Sequence, residues 1–564
     1  MNRYALTCVS LILGLGVLAA AADVATTKHN LSVSGPGAIK ATDESQICVF
    51  CHTPHNARPI SPLWNRRDSG STYVPYTSST AVAVPGQPTG SSVLCLSCHD
   101  GTIALGEVLS RATSIPMAGG TTTLPTGAGR LGTDLSDDHP VSFVYSAGLA
   151  SQRGELVNPA TLTGAIKLDA SGQLQCTSCH NAHDDIFGKF LVMSNRGSGL
   201  CQTCHTKNFW SQTAHRASTA IWNGVGPNPW PHTPWTNVAD NACENCHRPH
   251  IAGGRQSLLN YQVEETNCSV CHGGNVAQKN VAGEFNKSSN HPIADTTGTH
   301  SPSEPAVVSA RHVECADCHN PHAARAAGAG TPPGSLAGVR GVGITGAEVN
   351  PVTHEYQLCF RCHADSPNKP PPRTTRQIAQ TNVRLEFATT NPSYHPVAGP
   401  GRNANVPSLM APLTTASTIG CGDCHNNNAA PKAGGVGPNG PHGSIYAPLL
   451  VRQYVTVDNS AESSSAYALC YSCHSRDSVL GDQSFREHRK HIVGERTPCN
   501  VCHDPHGISG SQGNSVNNTK LINFDTSVVR PSSSGLLRFE SSGTFTGRCY
   551  LMCHGENHDP KPSR

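Results

Sequence analysis

The chain has one sustained run of apolar residues, and this run lies at the N-terminus. Tyr4–Leu18 is apolar, Arg3 precedes it with a positive charge, and Ala20–Ala22 follows with small side chains. This order is typical of an export signal, with cleavage expected near Asp23. An uncleaved membrane anchor is the alternative, because the run is almost long enough to span a bilayer. Cys8 lies too early in the run for a lipoprotein site.

The rest of the chain is interrupted by glycine and proline, and no later segment is apolar enough to span a membrane. Three stretches that are rich in glycine and proline are interpreted as surface loops or linkers: Met117–Gly132, Ala326–Asn350 and Asn426–Gly440. The pattern therefore predicts a mostly coil chain with short helical turns and few strands.

The composition is unusual for a chain of 564 residues, a length that suggests several domains. Hydrophobic residues make up 37% and aromatic residues only 5%, too few for several ordinary cores. Disorder is the simplest explanation, but the net charge is only +2 and there is no run of like charges. The same balance argues against a nucleic-acid partner. Something other than apolar side chains must fill the interior.

Cysteine and histidine supply the candidate chemistry. Eleven sites read Cys-x-x-Cys-His, and a twelfth has one extra residue between its cysteines. The cysteine pairs of sites 1 to 12 are Cys48 and Cys51, Cys95 and Cys98, Cys176 and Cys179, Cys201 and Cys204, Cys243 and Cys246, Cys268 and Cys271, Cys315 and Cys318, Cys359 and Cys362, Cys421 and Cys424, Cys470 and Cys473, Cys499 and Cys502, and Cys549 and Cys553. The histidines that follow them are His52, His99, His180, His205, His247, His272, His319, His363, His425, His474, His503 and His554.

This spacing is the signature of covalent c-type haem attachment. Two thiols three residues apart reach the two vinyl groups of one haem, and the next histidine ligates the iron as the proximal ligand. A disulfide framework, paired zinc sites or a thioredoxin-like motif would not need a histidine after every second cysteine. The twelve sites use every cysteine except Cys8. We therefore expect twelve covalent haems c, with the Cys-x-x-x-Cys-His site the least regular.

A haem iron needs a second axial ligand unless it binds a substrate. Methionine is too rare after the signal to supply many, so we expect two histidines per iron. The twelve distal candidates are His29, His55, His139, His183, His232, His250, His291, His322, His395, His442, His491 and His506. Six histidines remain, of which His215 and His312 are the first alternatives: His215, His300, His312, His354, His488 and His558.

Five of the candidates belong to a Cys-His-x-x-His continuation, usually with proline before the second histidine. Such a histidine is too close in sequence to reach the far side of its own haem, so it is expected to cap a neighbouring one. Sites with this continuation alternate with plain sites, which suggests six two-haem repeats. The predicted divisions are residues 1–22 for the signal, followed by 23–130, 131–225, 226–285, 286–375, 376–480 and 481–564 for the six pairs. The porphyrins would then form much of the core.

The segment KHNLSVSGPG, the motif CVFCHTPHN, and RHVECADCHNPH ending at His322 resemble the doubled-CxxCH multihaem cytochromes of metal-reducing bacteria. The resemblance implies low-potential bis-histidine haems stacked into a wire and respiration onto extracellular acceptors such as iron oxides. It also implies redox partners: periplasmic or outer-membrane cytochromes, or a porin conduit. The expected location is the periplasm, the outer-membrane surface or the extracellular space.

The leading hypothesis is an electron carrier rather than an enzyme. One alternative is a multihaem reductase of a nitrogen or sulfur oxyanion, in which case the irregular site at Cys549–His554 is the place to seek an open iron. The other is a subunit that polymerises into a haem filament. In a filament, His29 near the mature N-terminus would ligate a haem of the neighbouring subunit.

Overall fold

The computed structural model describes residues 23–58, 62–127, 129–295, 300–325, 332–510, 513–514 and 516–559. The predicted export signal lies outside these residues. Among those described, no helix combines the length and apolarity needed to cross a bilayer.

Helices and strands are short and widely spaced. The helices are α1 Gly90–His99, α2 Ala147–Arg153, α3 Cys176–Cys179, α4 Gly199–Gln202, α5 Ala214–Ala217, α6 Val238–Asn241, α7 Glu264–His272, α8 Cys315–Cys318, α9 Glu355–His363, α10 Val383–Glu386, α11 Ala468–Tyr471, α12 Arg476–Leu480 and α13 Cys499–Cys502. The strands are β1 Phe143–Val144, β2 Gln173–Leu174, β3 Ser289–Asn290, β4 Gly341–Val342, β5 Glu348–Val349, β6 Ser393–Tyr394, β7 Gly443–Ser444, β8 Gly507–Ile508, β9 Arg538–Gly543, β10 Thr546–Tyr550, β11 Met552–Cys553 and β12 Glu556–Asn557.

The strands form two-stranded antiparallel pairs: β1 with β2, β3 with β7, β4 with β5, β6 with β8, β9 with β10, and β11 with β12. Such ribbons are too small to form a core of their own. The prediction of a mostly coil chain with short helices and few strands is confirmed.

The haem motifs themselves account for much of the helical structure. The helices α1, α7 and α9 each end at the histidine of a site, whereas most other sites form a single helical or 3-10 turn. In eight of the sites the histidine N–H donates to the carbonyl oxygen of the first cysteine, at 2.8–3.0 Å. One turn of this kind brings the two cysteines near the same side of the backbone. The attachment motif is therefore built locally, wherever it occurs in the chain.

The chain divides into two compact units. The first comprises the residues up to Tyr76, Val82–Asn195 and Gly199–His205, and the second comprises Thr77–Ala81, Arg196–Ser198 and Thr206–Arg564. Sites 1 to 4 belong to the first unit and sites 5 to 12 to the second. The finer division into six pairs stays a prediction.

Apolar side chains gather in small, separate clusters beside the haem motifs. In the first unit, Val49 and Phe50 of site 1 pack with Ala41, Val108 and Ile115. In the second unit, one such cluster surrounds Phe360 of site 8 and another surrounds Val501 of site 11. These clusters are too small to serve as ordinary domain cores, in keeping with the low apolar content of the chain.

Candidate haem sites

Eight of the proximal histidines have a hydrogen-bond partner on Nδ1. In seven sites Nδ1 donates to a backbone carbonyl oxygen, and in site 10 the Nδ1 of His474 pairs with Ser408 Oγ at 2.9 Å. The seven carbonyl partners are Pro62 for His52, Gly129 for His99, Lys189 for His180, Ser257 for His247, Ser335 for His319, Pro448 for His425 and Lys520 for His503, at 2.8–3.2 Å. A partner on Nδ1 sets the ring orientation and leaves Nε2 available for a metal.

A second imidazole faces nine of the proximal histidines at a nearly constant distance. The pairs are His52 with His183, His99 with His29, His205 with His139, His247 with His322, His272 with His215, His319 with His442, His363 with His291, His425 with His506, and His503 with His488, with ring centres 6.1–6.3 Å apart. At site 10, burial and then the nearby charge of His395 lower the pKa of His474 to about 4.

This distance fits a haem iron. A metal–nitrogen bond of about 2 Å, with roughly 1.1 Å more from the nitrogen to the ring centre, separates two opposed imidazoles by about 6.2 Å. Ordinary stacked rings can lie closer: His29 and Phe190 have ring centres 4.0 Å apart. The spacing of the histidine pairs is therefore the one that an iron between two imidazoles requires.

The second imidazoles follow a regular order along the chain. For odd-numbered sites, the partner commonly lies in the loop that follows the next odd-numbered site. These partners are His183 for site 1, His322 for site 5, His442 for site 7 and His506 for site 9. For even-numbered sites, it comes from the segment before the preceding odd site: His29 for site 2, His139 for site 4, His215 for site 6 and His291 for site 8. Each two-site repeat is thus tied to the next within its unit.

The residue before the odd-site partner has a positioning role of its own. Its carbonyl oxygen accepts a hydrogen bond from Nδ1 of the partner of an even site. This occurs at Ala182 for His29, at Pro321 for His215, at Pro441 for His291 and at Pro505 for His395. The residue before the odd-site partner, a proline in three of these four cases, therefore helps to orient two imidazoles: its neighbouring histidine serves one site, and its carbonyl oxygen holds the imidazole of another.

Burial lowers the pKa of several of these imidazoles. For His322, His442 and His503 the pKa falls to about 3. The same cause lowers the pKa of His272 and His363 to about 4. Neutral imidazole is the form that ligates a metal, so the ring nitrogens are available near neutral pH.

Consecutive sites are neighbours in space as well as in sequence. In four pairs of consecutive sites, a hydrogen bond between two thiols is the main cause that raises the pKa of the first thiol. These pairs are Cys95 with Cys176, Cys268 with Cys315, Cys359 with Cys421, and Cys470 with Cys499. In six further pairs burial is the main cause of the raised pKa and a thiol of the next site contributes: Cys51 with Cys98, Cys179 with Cys204, Cys246 with Cys271, Cys318 with Cys362, Cys424 with Cys473, and Cys502 with Cys549. Sites 1 to 4 therefore form a series in the first unit, and sites 5 to 12 form one in the second.

One imidazole that the sequence offers only as an alternative faces a proximal histidine. His215 faces His272, whereas the Nε2 of His232, a distal candidate, lies 3.2 Å from the carbonyl oxygen of Glu244. The role of His232 as a distal ligand stays a prediction. The indole of Trp230 is buried and donates to Asn245 at 2.7 Å, which holds this segment against the site 5 motif. Little in the sequence distinguishes the two histidines, since both precede site 5.

Other candidates also have distinct surroundings. His55 is exposed beside Asn56, which has a positive φ, and His250 is half-buried after site 5. His488 faces His503, although the sequence left it unassigned. The proposed intersubunit ligand His29 faces His99 of its own unit.

The unassigned residues His300 and His312 lie in an acidic cluster. His312 Nε2 is 3.1 Å from Glu304, and His300 Nδ1 is 3.4 Å from Glu314. Burial, followed by neighbouring carboxylates, raises the pKa of Glu314 to about 7. Arg361 also contacts the cluster, 3.3 Å from Glu304.

The twelfth site has a different backbone from the others. Cys549 lies in β10 and Cys553 in β11, and the tight β11–β12 hairpin pairs Cys553 with Glu556. His554 Nε2 lies 2.9 Å from Asp458 Oδ2. His558 faces His491 with ring centres 6.2 Å apart.

A family model of the doubled CXXCH motif matches residues 170–209, which contain sites 3 and 4. No curated protein matches the chain significantly. The matched motif and its repetition along the chain support a multihaem c-type cytochrome that carries covalent haem c and works in electron transfer.

Proposed function

We propose that this protein carries twelve covalent haems, each ligated by two histidines, and passes electrons along them in the order of the sites. The observation that carries the proposal is the nearly constant spacing of the imidazole pairs, which recurs in both units. Haem iron supplies one-electron redox chemistry when bound in this way.

The chain itself would hold the haems, orient their ligands and shield them from solvent. Its cysteines would attach each haem at two points, and the Nδ1 hydrogen bonds keep the ligating rings in place. Because each of these pairs would supply two imidazoles to one iron, the haems would suit electron transfer rather than substrate binding. The partners of odd sites come from later repeats, so folding of one repeat organises the ligands of another.

The contacts between consecutive motifs support serial transfer. Thiols of adjacent sites lie close enough to influence each other throughout each unit. Since both cysteines of a site bond the edge of one porphyrin, thiol contact brings neighbouring porphyrins close together. Within each unit, a series of close haems would give electrons a continuous path without diffusion of any group.

We further propose that the protein serves anaerobic respiration onto an extracellular acceptor such as a metal oxide. The export signal and the resemblance to cytochromes of metal-reducing bacteria support this role. Periplasmic or outer-membrane cytochromes are the expected partners.

The purified, mature holoprotein tests the first proposal. Intact mass and haem absorbance should give twelve haems per chain, and a redox titration should show multiple one-electron transitions. Carbon monoxide should leave the reduced spectrum essentially unchanged. Stoichiometric carbon monoxide binding to one haem would instead favour a reductase.

The cellular role needs a separate experiment. Deletion of the gene should slow reduction of insoluble iron oxide more than reduction of a soluble acceptor taken up by the cell. Fractionation with haem staining should find the protein at or beyond the outer membrane. Equal loss of both activities, with the protein confined to the periplasm, would contradict an extracellular role. Electron microscopy of the secreted fraction would reveal filaments if the subunits polymerise.

A further inference from the structure

We propose that the iron of the twelfth haem is ligated by His558 and His491, and that His554, the histidine of the attachment motif, does not ligate it. The inference rests on the proposed presence of a haem at Cys549 and Cys553. It departs from the other sites, where the histidine next to the second cysteine occupies the axial position.

The distance between the rings of His491 and His558 fits an iron between them. His491 and His558 have ring centres 6.2 Å apart, within the narrow range of the nine pairs that contain a motif histidine. Neither His491 nor His558 belongs to a Cys-x-x-Cys-His motif. The separation of His491 and His558 is the one that an iron between two imidazoles requires.

His554 and His491 differ in which ring nitrogen is free of a hydrogen bond to the protein. Motif histidines such as His319 use Nδ1 for a carbonyl oxygen and keep Nε2 for the metal. His554 does the reverse, because its Nε2 donates to the carboxylate of Asp458 at 2.9 and 3.1 Å from the two oxygens. His491 follows the common pattern, with Nδ1 donating to the carbonyl oxygen of Glu487 at 2.7 Å.

The backbone at the twelfth site also differs from that of the regular sites. At a regular site, one helical turn would place the histidine next to the haem attached to its two cysteines. At the twelfth site the extra residue places the cysteines on strands, and His554 falls in the β11–β12 turn with φ +50°. The chain then reverses, and the N–H of His558 donates to the carbonyl oxygen of Leu551 at 2.8 Å. His558 is thus anchored beside Leu551, the middle one of the three residues between the two cysteines.

The order of the partners along the chain also places His491 at site 12. The partner of an even site precedes the neighbouring odd site, as His215 does for site 6 and His291 for site 8. His491 precedes site 11, so it occupies the place of the partner for site 12. The imidazole that it faces is that of His558.

The experiment uses the full-length holoprotein and three variants: His558→Ala, His558→Met and His554→Ala. Intact mass counts the haems, while magnetic circular dichroism and carbon monoxide binding count the five-coordinate ones. We expect twelve low-spin haems in the wild type and one high-spin, carbon monoxide-binding haem in twelve in His558→Ala. His558→Met should restore a low-spin haem with a methionine–iron absorption band and a raised potential. In His554→Ala, every attached haem should stay low-spin.

His354→Ala is the matched control, because it removes a histidine remote in sequence from every predicted ligand of site 12. It should leave the spin state unchanged. A high-spin haem in His554→Ala, with none in His558→Ala, would overturn the assignment. A wild type with eleven haems would overturn both this inference and the proposed haem count. Redox transitions of those eleven haems would still report on electron transfer.

Discussion

The choice between His215 and His232 as the partner of His272 gives the sharpest test of how the repeats are tied together. The ring centres of His215 and His272 lie 6.2 Å apart with an angle of 89° between the ring planes. His232 instead points its Nε2 at the carbonyl oxygen of Glu244. We predict that His215→Ala opens the iron at His272, and that His232→Ala leaves that iron low-spin.

The ring angle makes the missing haem identifiable. Nearly perpendicular imidazoles leave two iron d orbitals almost equal in energy and produce a strongly anisotropic electron paramagnetic resonance signal, whereas nearly parallel rings produce a rhombic one. His247 and His322 are nearly parallel, at 7°. His215→Ala should therefore lower the anisotropic signal by one haem, and His322→Ala should lower the rhombic signal by one.

The change to the fold should be small beside the change in ligation. His215→Ala removes one hydrogen bond, from Nδ1 to the carbonyl oxygen of Pro321, which is worth about 1 kcal/mol. Spin quantitation of the oxidised holoprotein, with mass measurement of haem content, is the assay. An unchanged spectrum for His215→Ala, or loss of the same anisotropic signal in His232→Ala, would refute the assignment and the partner order built on it.

Three further predictions concern folding and attachment. The haem-free chain should show no cooperative unfolding by circular dichroism and should be digested rapidly by protease, because its apolar clusters are small; a cooperative transition would contradict this. Arg66→Met should lower the unfolding free energy of the first unit by about 3 kcal/mol, because the fully buried guanidinium donates to the carbonyl oxygens of Leu105 and Ala104. Denaturant titration of the holoprotein measures this loss, and the variant of an exposed arginine, Arg153→Met, is the control. Cys549→Ala should leave the twelfth haem attached through Cys553 alone, so intact mass should stay at twelve haems while the absorption of one haem shifts; an unshifted spectrum would argue against a thioether at Cys549.

The fold was largely predictable because its cause is local. Glycine and proline prevent long helices and strands, and the Cys-x-x-Cys-His motif forms the same tight turn at scattered places such as Cys176–Cys179 and Cys499–Cys502. The candidate site was only partly predictable. The sequence offers His215 and His232 ahead of the same motif, and what separates them is the packing of Trp230 against Asn245.

The sequence by itself determined the number of motifs, the type of cofactor they predict and the histidine beside each second cysteine, because these depend on spacing over five or six residues. Tertiary structure decided which imidazoles face each other. His319 and His442, for example, are distant in sequence and meet only when the intervening loops close. It also decided the twelfth site, where one added residue replaces a helical turn by a hairpin, directs His554 to Asp458 and brings His558 opposite His491. Local covalent spacing specifies the attachment motif, whereas long-range packing specifies which imidazoles face each other.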